Sequence, residues 1–290
     1  MLDENIWTPT ANIETLFGAT AGNQFAAINA PTSGAREEVP LPEGAAPFQL
    51  YSLATPNGNK VSILLEELVD LGLLEYDAHK IMIGKGEQFG SGFVSVNPNS
   101  KIPSAVDKAP LDGGAPIRLF ESTSIALYLA DKYDKFSFKN DPRLRQELLN
   151  WLFFQHGGQG PMTGNFGHFF VYAPDEKKET RDYGTARYGM DVLRITDVLE
   201  KHLAGKEWIV GGEYSLADII LYPWYRQITV GYPHKSGIKA AEFLGIAEKF
   251  PNCNAWSDRV FARDAVKRGV QVCTWTSEHT KPWLHEEEAK

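Results

Sequence analysis

Three short constellations in this chain combine residue types that can hold a small ligand: Thr55-Pro56-Asn57, Ile102-Pro103 and Glu121-Ser122. A hydroxyl and an amide at the start of a helix stand beside unpaired N–H groups and the positive end of the helix dipole, where an anion such as a thiolate is stabilised. The same residues would also serve as N-cap, first-turn proline and first-turn Asn with no ligand at all. A proline opening a strand is often cis, and Ile102 before it can then offer its N–H and C=O to an extended peptide; the plain alternative is a turn proline. Glu121 beside Ser122 at a helix N-terminus can grip an amino acid head group, ammonium on the carboxylate, carboxylate on the hydroxyl and helix N–H groups. Ser122 could equally cap the helix and nothing more. No cysteine precedes Cys253, so the first turn is not a C-x-x-C and any reacting sulfur must arrive with the ligand.

The elements needed to position these residues are readable from periodicity. Phe48 to Leu53 is strand-like, and a helix opened by Thr55-Pro56 carries Val61, Leu64, Leu65, Leu68 and Leu71 up to Gly72. A second strand is expected over Glu75 to Ile83, a short helix over Gln88 to Val96, strands at Ser104–Asp107 and Ile117–Leu119, and a helix from Glu121 through Tyr133. That order, β-α-β-α-β-β-α, implies one sheet with helices on its faces. After a linker the period becomes helical throughout. Asp141-Pro142 opens a helix over Leu144 to Phe154 that Gly157-Gly158 and Gly160-Pro161 should break, and Tyr183 to Leu203 is a long helix. Ser215-Leu-Ala-Asp218 has capping-box spacing before a helix over 216–229, with further helices expected at 238–249 and 254–271. Residues 1–47, rich in Ala, Thr, Pro, Asn and Gly, read as an extended arm; residues 48–134 form an α/β domain and 141–290 an all-helical one, rather than one continuous core.

Composition bounds the function. At 290 residues, 43% hydrophobic and 23% charged, the chain is globular, and disorder and fibres are excluded. Its longest apolar run, Ile219 to Tyr225, is far shorter than a bilayer span, and the acidic N-terminus lacks a secretory signal, so a cytoplasmic protein is expected. A net charge of −8 argues against nucleic-acid or anionic-membrane partners. Cys253 and Cys273 cannot form a disulfide framework, and no Cys/His cluster has metal-ligand spacing.

A thiol, a peptide backbone and a free α-amino acid end, in that order, describe glutathione. The segment Leu50-Tyr-Ser-Leu-Ala-Thr-Pro-Asn-Gly-Asn-Lys60, the loop Asn97-Pro-Asn-Ser-Lys-Ile-Pro103, Glu121-Ser122 and Ser215-Leu-Ala-Asp218 resemble the glutathione transferase superfamily. The Thr-Pro-Asn turn, Phe25-Ala-Ala-Ile-Asn29 and Tyr183-Gly-Thr-Ala-Arg187-Tyr188 are most similar to its nu class. The likeness covers nearly the whole chain, weakest in residues 1–20 and the acidic tail after Trp283. It implies the glutathione transferase fold: an α/β thioredoxin-like N-terminal domain, an all-α C-terminal helical domain and a homodimer. It further implies that Thr55 and Asn57 bind the glutathione sulfur beside Pro56, that Ile102 with Pro103 pairs with the cysteinyl backbone, and that Glu121 and Ser122 hold the γ-glutamyl end. Asn29, Gln88 and Lys101 resemble positions lining the same groove, and Arg187 resembles the arginine that helps hold a second glutathione. Tyr51 departs from superfamily members in which a first-strand Tyr activates sulfur, and reads as strand packing.

One hydrogen bond to a thiolate, worth about 1.5–3 kcal/mol, lowers a thiol pKa of about 8.5 by roughly 1–2 units, and a helix end adds about 0.3–1 kcal/mol. The bound thiolate then dominates at neutral pH without a general base. Aromatic residues crowd the helical half; Phe166, His168, Tyr172 and Tyr225 are candidates for a pocket taking a flat apolar substrate, with His168 a possible general acid. The resulting expectation is a glutathione-dependent oxidoreductase, using two glutathiones per subunit to reduce disulfides or to cleave glutathionyl thioethers such as those of lignin-derived aromatic ketones. A conjugating or aryl-ether-cleaving transferase is the alternative reaction, and a non-catalytic regulatory protein of the same fold is the alternative class.

Overall fold

The computed structural model describes residues 32–175 and 178–275. Asn29, the segment around Phe25 and the acidic tail lie outside the described residues. Strand β1 (Phe48–Ser52) is buried along its whole length and sits inside a four-stranded sheet of order β2-β1-β3-β4. Here β2 is Tyr76–Lys80, β3 Ser104–Asp107 and β4 Ile117–Phe120. The β1–β2 pair is parallel and needs a crossover, which helix α1 (Pro56–Asp70) supplies; β1–β3 and β3–β4 are antiparallel. Helix α2 (Ser91–Val96) precedes β3 and α3 (Ser122–Tyr133) follows β4, so every expected element of this half is present. The second strand is shorter than expected because the chain leaves the sheet after Lys80 and enters a 3-10 turn at Ile83–Lys85. The helix expected over Gln88 to Val96 is divided, a 3-10 turn at Glu87–Phe89 giving way to α2 after extended Gly90.

The helical half differs from expectation at its glycines. Helix α4 (Pro142–Phe154) is not broken by Gly157-Gly158 or Gly160-Pro161. It runs through a π turn at Gln155–Gln159 into α5 (Gly160–Gly167) and then through a second π turn at His168–Tyr172. At Gly160 the missing side chain gives room rather than freedom: a Cβ there would lie 3.0 Å from the Gln155 amide nitrogen and 3.4 Å from the Trp224 indole nitrogen. Helix α6 spans Lys178–Leu203, starting a turn earlier than expected, and α7 spans Leu216–Thr229 behind a complete Ser215–Asp218 capping box. The expected helix at 238–249 is split by Gly245, at φ 67°, into α8 (Ala240–Leu244) and α9 (Ile246–Lys249). The last expected helix is also two, α10 (Pro251–Phe261) and α11 (Asp264–Gly269).

Buried apolar residues of the sheet half and the helical half merge into one cluster, so the change of architecture near residues 135–141 is not a gap in packing. Helix α1 is the shared member: it packs on α3, α7 and α11. Ser62 donates to the Gly269 carbonyl at 2.7 Å, Arg263 forks onto Glu67, and Arg268 pairs with Glu66. Tyr51 packs on the β2 side, stacked on His79 with its hydroxyl donating to the Pro42 carbonyl, as expected of a packing residue.

Candidate functional site

Helix α1 begins tightly. The Thr55 hydroxyl accepts from the Gly58 N–H at 3.3 Å, Pro56 fills the first turn, and a Cβ at Gly58 would fall 2.0 Å from the Leu53 carbonyl oxygen. Glycine is therefore required for the strand to turn into the helix here. The turn is also tied from outside, since the Ala54 N–H donates to the Cys273 carbonyl at 2.9 Å. Because the Thr55 oxygen accepts from Gly58, its own O–H is left to donate elsewhere.

Asn57 is held from across the molecule. Its Oδ1 accepts from the Trp224 indole N–H of α7 at 2.9 Å. An indole nitrogen can only donate, so this contact fixes which end of the amide is the carbonyl and leaves the NH2 end for a ligand. Asn57 and Trp224 line a cleft of about 620 Å³ together with Lys60, Lys101, Glu121, Ser122, Gln155 and His156. Its floor is polar and buried. Lys60, 2% exposed, donates to the Gln155 Oε1 at 2.6 Å and to the Ser122 hydroxyl at 3.3 Å. Burial pushes the Lys60 ammonium down to about 7, against the opposing pull of the Glu121 charge. The Gln155 Nε2 is buried with no hydrogen-bond partner among the described residues, a donor that suits an arriving acceptor.

The sequence expectations are only partly brought together. Thr55, Pro56 and Asn57 share the start of α1, and Asn57, Lys101, Glu121 and Ser122 line the same cleft. The Ile102–Pro103 bond is cis, directly before β3. Ser122 does not cap α3: Glu121 holds the cap position at φ 68°, with no side-chain capping bond, and Ser122 is the first helical residue. A non-glycine residue at that backbone angle is strained, and it stands at the mouth of the cleft. Gln88 is buried in its 3-10 turn, donating to the Ile83 carbonyl, and is not in the cleft wall. Arg187 lies outside the wall too, paired with Asp191 on the exposed side of α6.

The expected aromatic pocket is displaced. Phe166 is fully buried, stacked on Phe170 at 5.2 Å, and Tyr225 is 1% exposed with its hydroxyl on the Asn254 side chain, so a ligand reaches neither. They are core because α5 and α7 turn these faces inward. His168 and Tyr172 sit on the second π turn, away from the cleft. Burial and the Arg181 charge lower the His168 pKa, which disfavours its service as an acid. The cleft's aromatic wall is Trp224 instead. Sequence reasoning also missed Lys60 and Gln155, although Lys60 falls one turn before Leu64 on the buried stripe of α1, which is an unusual place for lysine. Neither protein thiol is poised to react: Cys253 and Cys273 are fully buried, burial raises both, and Cys273 reaches about 12. Among the described residues no cluster could hold a metal ion, and no helix is long and apolar enough to cross a membrane.

Residues 183–259 match the family described as glutathione S-transferase, C-terminal domain. The disulfide-bond oxidoreductase YghU of Escherichia coli (strain K12) is 45% identical over 92% of this chain and 88% of that protein. A crystal structure of glutathione transferase YghU from Streptococcus pneumoniae, complexed with glutathione, is 43% identical over 92% of this chain and 96% of its own, at a TM-score of 0.79. A glutathione transferase from Burkholderia graminis, with two glutathione molecules bound per subunit, is 34% identical over 94% and 99% of the two chains, at a TM-score of 0.71. Likeness of this size over nearly the whole length means that the chain belongs to the glutathione transferase family.

Proposed function

We propose that this chain is a glutathione-dependent disulfide oxidoreductase of the nu class that activates the glutathione thiolate at Thr55 and Asn57. The glutathione-binding unit is residues 48–134, and residues 141–290 supply the substrate wall. Support comes first from one observation, the Asn57 amide turned by Trp224 so that its NH2 end is the ligand's donor. The buried donors of Lys60, Ser122 and Gln155 suit the γ-glutamyl carboxylate, and Glu121 suits its ammonium. Ile102 with Pro103, together with Lys101, takes the peptide backbone, and Gln88 supports the loop facing it.

The thiolate attacks one sulfur of a disulfide; an S–S bond breaks, a glutathionyl mixed disulfide forms and the other sulfur leaves as thiolate. A second glutathione, held with help from Arg187, then attacks the mixed disulfide, releasing the second thiol and glutathione disulfide. A glutathionyl thioether beside an aromatic ketone is opened by the same attack on sulfur, with the electron pair passing to the carbon next to the carbonyl, which then takes a proton. Both reactions need reduced glutathione, which fits a cytoplasmic enzyme. The working unit is a homodimer.

Replacing Thr55 and Asn57 together by Ala should lower turnover of hydroxyethyl disulfide with glutathione by roughly 10–100-fold or more while the far-ultraviolet dichroism is retained. Unchanged turnover would remove the sulfur-activating role. No turnover in the unsubstituted protein would favour a regulatory role for the groove.

A further inference from the structure

Lys60 is an expensive residue to keep where it stands. Its ammonium stem is enclosed, 2% exposed, and its polar neighbours by hydrogen bond, Ser122 and Gln155, are both neutral. A buried lysine with neutral partners is stabilised as an ion only if an anion comes to it. The cleft it lines is open to a ligand, and the Gln155 Nε2 beside it is a buried donor with no acceptor among the described residues. The Ser122 oxygen accepts from Lys60, so the single Ser122 O–H is turned away from the lysine and is free to donate. Three donors from three separate elements thus converge, and the acceptors that Lys60 has among them are neutral: Lys60 from α1, Ser122 from α3 and Gln155 from the π turn.

We propose that Lys60 is the positioning cation of this site: it turns the Ser122 hydroxyl toward the ligand and takes up a proton when the ligand's carboxylate arrives, supplying the opposing charge. The inference rests on the glutathione reading and deepens it, because it says which end of the tripeptide is recognised by a charge that exists fully only in the complex. The low proton affinity of the enclosed amine agrees with this: at pH 8 most of the free protein carries Lys60 neutral, and an anion beside it raises that affinity again. The other charged or titratable groups facing the cleft are Glu121 at the start of α3, Lys101 before β3 and His156 on the π turn; α7 contributes Trp224, which does not titrate.

The test is calorimetry at pH 8 with S-methylglutathione, whose blocked sulfur cannot contribute a proton of its own, in two buffers of different ionisation enthalpy. The unsubstituted chain should take up more than half a proton per ligand. Lys60→Met should bind about tenfold or more weakly with no uptake, while Lys60→Arg, permanently charged, should keep much of the affinity and also show no uptake. His156→Gln should leave the uptake in place. Uptake that persists in Lys60→Met, or vanishes in His156→Gln, overturns the proposal while leaving glutathione binding intact. Failure of the unsubstituted chain to bind S-methylglutathione at all overturns the glutathione reading, and this inference with it. Circular dichroism of each variant separates loss of the fold from loss of the cation.

Discussion

Asn57 shows how far a single residue's type can be read. An amide in the first turn of a helix has two ends, and the sequence cannot say which end faces a ligand. The answer comes from Trp224, 167 residues away, whose indole can only donate. Lys101, Glu121 and Ser122, singled out by helix starts and by the family resemblance, do line one cleft, whereas Thr55 is seen in the N-cap role that helix initiation alone would give it. Lys60 was not legible, because a lysine in a helix is ordinarily solvated and only the folded packing encloses it. The enclosure has a consequence for stability. The Lys60 amine falls from 10.5 in an open chain to about 7 when folded, so between those values the unfolded chain holds a proton that the folded chain lacks. Stability from this group therefore rises as pH climbs from about 7 toward 10.5, and below 7 the buried ammonium costs its full penalty. Lys60→Met, which has nothing to titrate, should be more stable than the unsubstituted chain at pH 6, by an amount on the order of a few kcal/mol, with the difference shrinking by pH 9. Urea midpoints of both proteins at the two pH values measure this. A constant difference between them would mean that Lys60 keeps its ordinary proton affinity.

At the scale of elements, the sheet half was legible almost strand for strand, because caps, prolines and a period of two mark each end locally. The helical half was legible in its helices but not in their joints. Gly157, Gly158 and Gly160 carry the signature of a break, yet here they widen a continuous helix into a π turn that carries Gln155 and His156 to the cleft. What Gly160 leaves room for, the Trp224 and Gln155 side chains, is a tertiary fact absent from local sequence. The packing of α11 on α1 is equally invisible in the sequence and bears directly on the site, since α1 presents the Thr55 turn. Gly269 is where the two helices meet most closely: a Cβ there would lie 2.6 Å from the Ile63 Cα and 2.8 Å from its nitrogen. These are backbone atoms with no rotamer to yield, so Gly269→Ala must push α11 off α1 and loosen the Ser62 bond to the same residue. The expected cost is about 1–3 kcal/mol of stability. Because Cys273, four residues on, ties down Ala54, glutathione affinity should fall as well. Thermal unfolding and a glutathione titration of this variant check both; unaltered values would show that the last helix is not a support for the site.

At the scale of the whole molecule, an exposed aromatic ring stands beside an apolar groove. Phe153, at the end of α4, is 71% exposed, and beside it Leu127 of α3 and Leu149 and Leu152 of α4 line a groove of about 320 Å³. A two-fold interface is self-complementary, so a knob and a hole on one surface are what such an interface requires. With two copies facing each other, each Phe153 can enter the other's groove, and the pair of rings leaves water together. The same groove also counts Glu121 and His156 in its wall, the two residues it shares with the cleft at the start of α1. Association on this face would therefore reach the site through shared residues, with no longer path needed. Phe153→Asp places a charge where the partner's apolar groove would enclose it, a penalty of several kcal/mol counted once in each direction. The variant should sediment as a monomer at micromolar concentration where the unsubstituted chain sediments as a dimer, and it should bind glutathione more weakly because Glu121 and His156 lose the support of the interface. Phe153→Leu, which keeps an apolar knob, should remain dimeric. A Phe153→Asp protein that still sediments as a dimer would move the interface to another face, and an unsubstituted chain that sediments as a monomer would mean that the groove belongs to a different partner.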